Sequence, residues 1–281
     1  MLFLSNQVSA KAYALPADGS RLIGEPEYHT VKEGDYFHAL ANLYNVGFLA
    51  LMDANPGVDP LLPQVGTKIV IPSQIILPDA PYKGIVINLP ELRLYYFTNN
   101  TVYVFPIGIG RIDQSTPVME TTIFSKIPNP TWTPTKQSRE DHFAEHGTEL
   151  PQTVPAGKNN PLGEYALRLA YGNRTYLIHG TNKNFGIGMR VSAGCVRMNP
   201  DDIAWLFAKV KSGESVKVIN DPIKITKEPN GEKYIEVHSP LTPDETSNSE
   251  PAEELNYDTI FTNNDMIDWD IVAQKQSCKE D

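Results

Sequence analysis

The chain has 281 residues, 41% of them hydrophobic and 21% charged, and a formal net charge of -10 at pH 7. That length supports a full hydrophobic core plus a smaller unit, and no apolar run is long enough to span a bilayer. The acidity is local, since 11 acidic and 2 basic residues lie between Leu241 and Asp281. The remainder is close to neutral and carries no basic stripe, which excludes nucleic acid as a partner.

The amino terminus, "MLFLSNQVSAKAYALP", has a short apolar block at Leu2, Phe3 and Leu4, followed by the small-x-small triplet Ala10-Lys11-Ala12. The triplet has the form of a signal-peptidase site, so residues 1–12 are expected to be the remnant of an export signal. The competing reading is a disordered leader. Residues 13–26 form an amino-terminal segment.

From residue 27 to 73 the pattern predicts a strand-helix-helix-strand module. A strand at His29 to Lys32 meets the turn pair Gly34-Asp35. Apolar residues at Phe37, Leu40, Ala41 and Tyr44, then at Phe48, Leu51 and Met52, follow helical spacing. Asn55-Pro56-Gly57 ends the second helix, and Lys68 to Ile71 is a second strand. The three prolines of "PSQIILPDAPYKG" read as a stiff linker over residues 74–83.

A mostly β domain is expected over residues 84–220. "GIVINLPELRLYYF" gives two strands around Leu89-Pro90-Glu91, and "TVYVFPIGIG" a third. Between Ile127 and Leu162 the pattern dissolves into a proline-rich excursion, expected to be a structureless loop that covers substrate. Strands resume at "EYALRLAYG", "RTYLIHG" and "SVKVIN". The last follows a helix that starts at Pro200, with Asn199 as its cap and Asp201 and Asp202 in its first turn. Residues 221–240 form a carboxy-terminal strand segment. Residues 241–281 read as an acidic, disordered tail in which "DTIFTNNDMIDWDIV" is the one apolar patch, a short helix or a docking peptide.

The chemistry centres on "IHGTNKNFGIGMRVSAGCVRM", Ile178 to Met198. A cysteine is a nucleophile only as a thiolate, so it needs a base beside it and would then titrate below a free thiol. His179 ends a strand, and the intervening glycine-rich loop is long enough to return Cys195 to the imidazole. Gly180 is placed to orient the ring through its carbonyl, and the N–H groups of Gly194 and Cys195 are the nearest oxyanion donors. Taken singly, each residue is as readily a buried thiol or a satisfied strand-end histidine.

Three other signals are weaker. "HFAEH", His142 to His146, fits a zinc-protease motif but is followed at once by Gly147 in a loop-like region. "IGIG", Ile107 to Gly110, lacks the Lys-Ser or Lys-Thr of a phosphate loop. The two cysteines, Cys195 and Cys278, are too few for a disulfide framework, and the final "CKED" lacks the aliphatic residues of a prenylation box.

Two stretches carry a family resemblance. "HTVKEGDYF", "LANLYNV", "LMDANPGVD" and "VGTKIVIP" together resemble a LysM domain, which implies binding to N-acetylglucosamine-containing glycan; Tyr36 stands where that family has Thr. "HGTN" with "SAGCVRM", supported by "PIGIG", "PTWTPT" and "NNPLGEYALRL", resembles the YkuD-type L,D-transpeptidases, of the periplasmic subgroup with an amino-terminal LysM module. The resemblance implies a mostly β sandwich with a short helix after the cysteine, beside the small α+β LysM unit.

It further implies Cys195 as nucleophile, His179 as general base, Gly180 as ring-orienting carbonyl, and Ser192, Ala193, Gly194 and Arg197 as the binding loop. Ala193 departs from the family's His. Also implied are a peptidoglycan tetrapeptide as acyl donor, and as acceptor either another stem or an outer-membrane lipoprotein or barrel protein. Acylation by carbapenems and a periplasmic location in a Gram-negative-type cell follow. No cofactor and no metal are implied. The rival readings are an inactive wall-binding adaptor, or a carboxypeptidase with water as acceptor.

Overall fold

A computed structural model of the chain describes residues 10–183, 185–239, 241 and 260–262. In chain order the first elements are β1 (Lys11–Ala14), β2 (Leu22–Ile23), β3 (Glu27–Thr30), α1 (Phe37–Tyr44), α2 (Phe48–Asp53), β4 (Lys68–Ile71) and β5 (Ile75–Ile76). There follow β6 (Gly84–Asn88), β7 (Arg93–Thr98), β8 (Thr101–Pro106), β9 (Ile109–Gly110), β10 (Met119–Pro128), α3 (Lys136–His146), β11 (Tyr165–Leu169) and β12 (Leu177–His179). The last are β13 (Arg190–Ser192), β14 (Val196–Arg197), α4 (Pro200–Lys209), β15 (Ser215–Ile219), β16 (Ile223–Lys227), β17 (Lys233–Val237) and β18 (Ile260–Thr262).

The βααβ module forms as its pattern predicts. β3 and β4 pair antiparallel, and Phe37, Leu40, Leu51, Ile69 and Ile71 close its core. Asn45 ends α1 in the left-handed region, a conformation asparagine tolerates. Buried Asn55 does more than stop α2: its amide donates to the Leu51 and Val70 carbonyls and accepts from the Val70 N–H. One side chain therefore fastens the helix to β4.

The fold is mostly β, as expected. Nine strands form one sheet in the order β1-β8-β7-β6-β15-β10-β11-β12-β14. Its central strands are buried on both faces, which is why β6 and β7 read as unbroken apolar runs. Ile85, Ile87, Leu94 and Tyr96 join the main core under α4, while Val86, Tyr95 and Phe97 join a second cluster with Ile23, Ile75 and Leu77.

That second cluster corrects two expectations. The proposed linker is not a spacer, because Ile75–Ile76 pairs with β2 and Ile75, Ile76 and Leu77 are buried. The apolar "IIL" inside the proline frame covers the second face of the sheet. Lys11 and Ala12 of the expected export remnant likewise belong to β1, an edge strand paired with β8, so a cut after Ala12 would halve that strand.

The proline-rich excursion is also ordered. β10 runs through Ile127–Pro128, mutual hydrogen bonds between Trp132 and Val154 close the base, and α3 lies between them. The Thr135 hydroxyl caps the Ser138 N–H at 3.0 Å and Gly147 ends the helix at φ 67. α3 buries none of its side chains, so it has no apolar period for a sequence reading to detect. "HFAEH" thus does sit on a helix, with the His142 and His146 rings 4.4 Å apart, but Gly147 ends it at once.

β16, β17 and β18 form a separate antiparallel sheet. β18 takes "IFT", Ile260–Thr262, from the apolar patch of the acidic segment, so these three residues are a strand. Apart from Leu241, the rest of that segment, Cys278 included, lies outside the described residues.

A buried charge cluster fastens this sheet to the main one. The Lys224 ammonium lies 2.9 Å from Glu91 and 2.8 Å from Glu236, and Arg93 pairs with both carboxylates. Tyr95 donates to Glu91, and the Ile76 N–H donates to Glu236 at 2.7 Å. Burial pushes Glu236 up, but Lys224 and Arg93 outweigh it and hold the carboxyl well below its usual range. Glu91, Glu236 and His238 are also, among the described residues, the one trio of metal-capable side chains, and those two carboxylates are already engaged by cations.

Candidate active site

His179 closes β12 and Cys195 immediately precedes β14, and these two strands run parallel with Ile178 opposite Val196 and His179 opposite Arg197. Parallel neighbours require a crossover, which the glycine-rich loop supplies. Within it, β13 pairs with β9, Ser192 standing opposite Gly110. The loop is thus clamped at its middle as well as at its ends.

The His179 Nδ1–H donates to the Gly180 carbonyl at 2.6 Å. A carbonyl can only accept, so this bond fixes the tautomer and leaves Nε2 with its lone pair. The ring is buried, and burial pushes the imidazole down to about 4; the Gly180 bond opposes that shift and the Arg197 charge adds to it. The ring is therefore neutral at pH 7, the form a base requires.

Cys195 is partly exposed and reduced, with Sγ 3.9 Å from the Thr175 carbonyl. Burial pushes its thiol up, while the Leu177 N–H and the Arg197 charge pull it back. This corrects the expectation of a thiol that titrates below a free one: desolvation wins, and the resting pair is neutral thiol and neutral imidazole.

The binding-loop residues hold distinct places. Buried Ser192 donates from Oγ to the Cys195 carbonyl, and its own carbonyl accepts from the Arg111 N–H at 2.9 Å. Gly194 sits at φ +98, a conformation that favours glycine, with Tyr176 3.4 Å from where a Cβ would stand. Ala193 is exposed. Among the described residues, no hydrogen bond uses the N–H of Gly194 or Cys195. Arg197 exchanges backbone hydrogen bonds with Gly108 at 2.8 Å each way, and its buried Nε has no hydrogen-bond partner among the described residues. Loss of hydration pushes the Arg197 guanidinium down, and the Cys195 sulfur opposes that shift.

Three supports escaped the sequence reading. Thr116 Oγ1 accepts from the Gly110 N–H and donates to the Gly194 carbonyl, both at 3.0 Å, so the rejected phosphate phrase in fact buttresses the cysteine loop. Arg111 reaches Asp141 on α3 at 3.1 Å, which ties that helix to the residue holding Ser192. The Leu49 N–H of α2 donates to the Gly188 carbonyl at 3.3 Å, and a Cβ on Gly188 would come within 2.3 Å of the Phe48 nitrogen. The small module therefore packs on the active-site loop. Only the paired glycines of "GIG" hinted at so close an approach. Asn199 is the cap residue of α4 as expected, but its side chain makes no cap bond and reaches Asp202 instead.

Comparison with known proteins agrees with this arrangement. The L,D-transpeptidase catalytic domain profile matches residues 82–218, the L,D-transpeptidase C-terminal domain residues 222–269, and the LysM domain residues 29–72. Probable L,D-transpeptidase YcfS of Escherichia coli is 53% identical over 244 residues, covering 85% of this chain and 76% of that protein. Probable L,D-transpeptidase YbiS of the same organism is 51% identical over 242 residues, covering 83% and 77%, and Probable L,D-transpeptidase ErfK/SrfK is 47% identical over 247 residues, covering 86% and 78%. The C-terminal match spans the segment in which β18 forms. With a cysteine-histidine site at the heart of the matched region, the chain belongs to the L,D-transpeptidases and is an enzyme of that family.

Proposed function

We propose that Cys195 carries acyl transfer on peptidoglycan stems. His179 Nε2 takes the thiol proton as Sγ attacks the carbonyl between the third and fourth residues of a tetrapeptide. The C–N bond breaks, the imidazolium returns its proton to the departing D-alanine amine, and a thioester remains. An acceptor amine then attacks the thioester, its proton passes to His179, and the thiolate is released. The observation that carries this reading is the neutral, tautomer-fixed His179 one strand from a reduced thiol.

The unused N–H groups of Gly194 and Cys195 supply the oxyanion site, and Arg197 contributes positive charge beside the sulfur. α3 and its flanking loops cover the donor. The LysM module holds the glycan of the same wall, with Tyr36, 44% exposed and stacked on His38, on its free face. These activities belong to the periplasm, and the acceptor is either a second stem or an amine of an outer-membrane protein. Incubation with a tetrapeptide donor and separate amine acceptors tests the reading. Expected is one D-alanine released per amide formed, with none from Cys195→Ala. D-alanine release that no added amine captures would replace transfer by hydrolysis.

A further inference from the structure

The segment that holds the reacting pair is charged against the rest of the chain. Between Pro151 and Pro200 stand six basic residues, Lys158, Arg168, Arg174, Lys183, Arg190 and Arg197, and one acidic residue, Glu164, in a protein of net charge -10. Some of these cations have structural tasks. Arg190 donates to the Leu241 and Ser239 carbonyls, and the Arg174 guanidinium stacks on Phe124 at 3.9 Å. Lys158 and Lys183 are exposed, and among the described residues neither has a carboxylate partner.

Their backbones are held against the end of β12 that presents His179. The Asn182 amide donates to the Lys158 carbonyl at 3.1 Å, and the Lys183 N–H donates to Thr181 Oγ1, on a buried threonine, at 3.0 Å. The loop carrying Lys158 is rigid for a visible reason. Fully buried Asn160 donates to the Pro130 carbonyl at 2.7 Å and accepts from the Leu162 N–H at 2.9 Å. Gly163 lies so close to Gly180 and Thr181 that a Cβ would come within 2.8 Å of the Thr181 nitrogen. Two lysines with no carboxylate partner among the described residues thus stand on backbone braced at the His179 end of β12, the Lys183 ammonium 6.0 Å from the Phe185 ring, at a site whose loop also carries Arg197. Cations set around a cleft draw anionic ligands and fix their register.

We propose that Lys158 and Lys183 form a carboxylate-recognition pair for the acyl donor, selecting peptides with free internal carboxylates and seating them beside His179. The inference rests on the transferase reading and adds what that reading lacks, a determinant of donor charge. Both lysines act on binding and touch no reacting atom.

The test uses the full chain and two tetrapeptide donors, one with free internal carboxylates and one with those groups capped as amides. The rate of Cys195 acylation is followed by intact mass for the wild type, Lys158→Gln, Lys183→Gln and the double variant, with melting temperature as a check of folding. Each substitution is expected to lower kcat/KM for the acidic donor about fivefold, mainly through KM. The wild-type preference for the acidic donor should shrink toward unity in the double variant, shrink with added salt, and persist in Lys158→Arg/Lys183→Arg. Equal losses on both donors, or a preference that ignores the lysines, would overturn the pair and leave the transferase intact. No adduct from folded wild type with either donor would overturn the transferase reading, and the pair with it.

Discussion

The loop that carries Cys195 and the charge cluster under the C-terminal sheet are both buried polar centres, yet they treat their hydrogen-bonding groups in opposite ways. In the cluster, Lys224 reaches Glu91, Glu236 and the Ile76 carbonyl, and Arg93 reaches both carboxylates. In the loop, the Arg197 Nε and the N–H groups of Gly194 and Cys195 have no partner among the described residues. Leaving polar groups idle in a buried site costs stability, so proteins keep them where a ligand will complete them. The satisfied cluster joins two sheets, while the unsatisfied groups lie where the proposed reaction needs donors.

Substitutions separate the two regions. The largest effect is expected at Cys195→Ala, which should lower acyl transfer by more than about a thousandfold while leaving the melting temperature nearly unchanged. Next comes His179→Gln, with a loss on the order of a hundredfold or more. The pH profile sharpens this point. The base works only when neutral, so the acid limb of kcat/KM for the free enzyme should lie near about 4, where the buried ring titrates, and not near 6.5. A limb at the ordinary histidine value would show that the ring is solvated in solution.

In the charge cluster the order of effects inverts. Lys224→Met leaves Glu91 and Glu236 short of a cation and should destabilise the fold by about 3–5 kcal/mol, measured by denaturant unfolding. The double variant Lys224→Met/Glu236→Leu should recover part of that loss, because it removes one of the stranded charges. A cluster variant that kept full stability but lost activity would show that the two regions are not separate in function.

The smallest effect is expected at Asp202, a fully buried carboxyl on α4 that burial pushes up to about 7. A folded pKa above the unfolded one means that its stabilising contribution is complete below the ordinary carboxylate range and is lost as pH rises through about 7. Asp202→Asn should therefore raise the melting temperature at pH 8 by more than at pH 4.

Legibility in the sequence follows the same divide. The loop that returns Cys195 to the strand beside His179 and the βααβ module were readable, because tight turns and helical spacing demand particular residues at particular intervals. α4 was readable from Pro200 and its apolar face. α3 was not, since its side chains are all at least partly exposed, although Thr135 and Gly147 mark both its ends. The cover formed by Ile75–Ile76 was hidden by the prolines around it. The partnership of Glu91, Arg93, Lys224 and Glu236 joins strands far apart in the chain, and each residue alone reads as surface. Spacing shows what is local or periodic, and tertiary packing decides the rest.

The most direct test of the account is the mass of the intact protein after brief incubation with a disaccharide-tetrapeptide donor and no acceptor. The account predicts an adduct on Cys195 equal to the donor less one D-alanine, absent from Cys195→Ala. Folded protein that gains no mass from the donor, or gains it equally without Cys195, would contradict it.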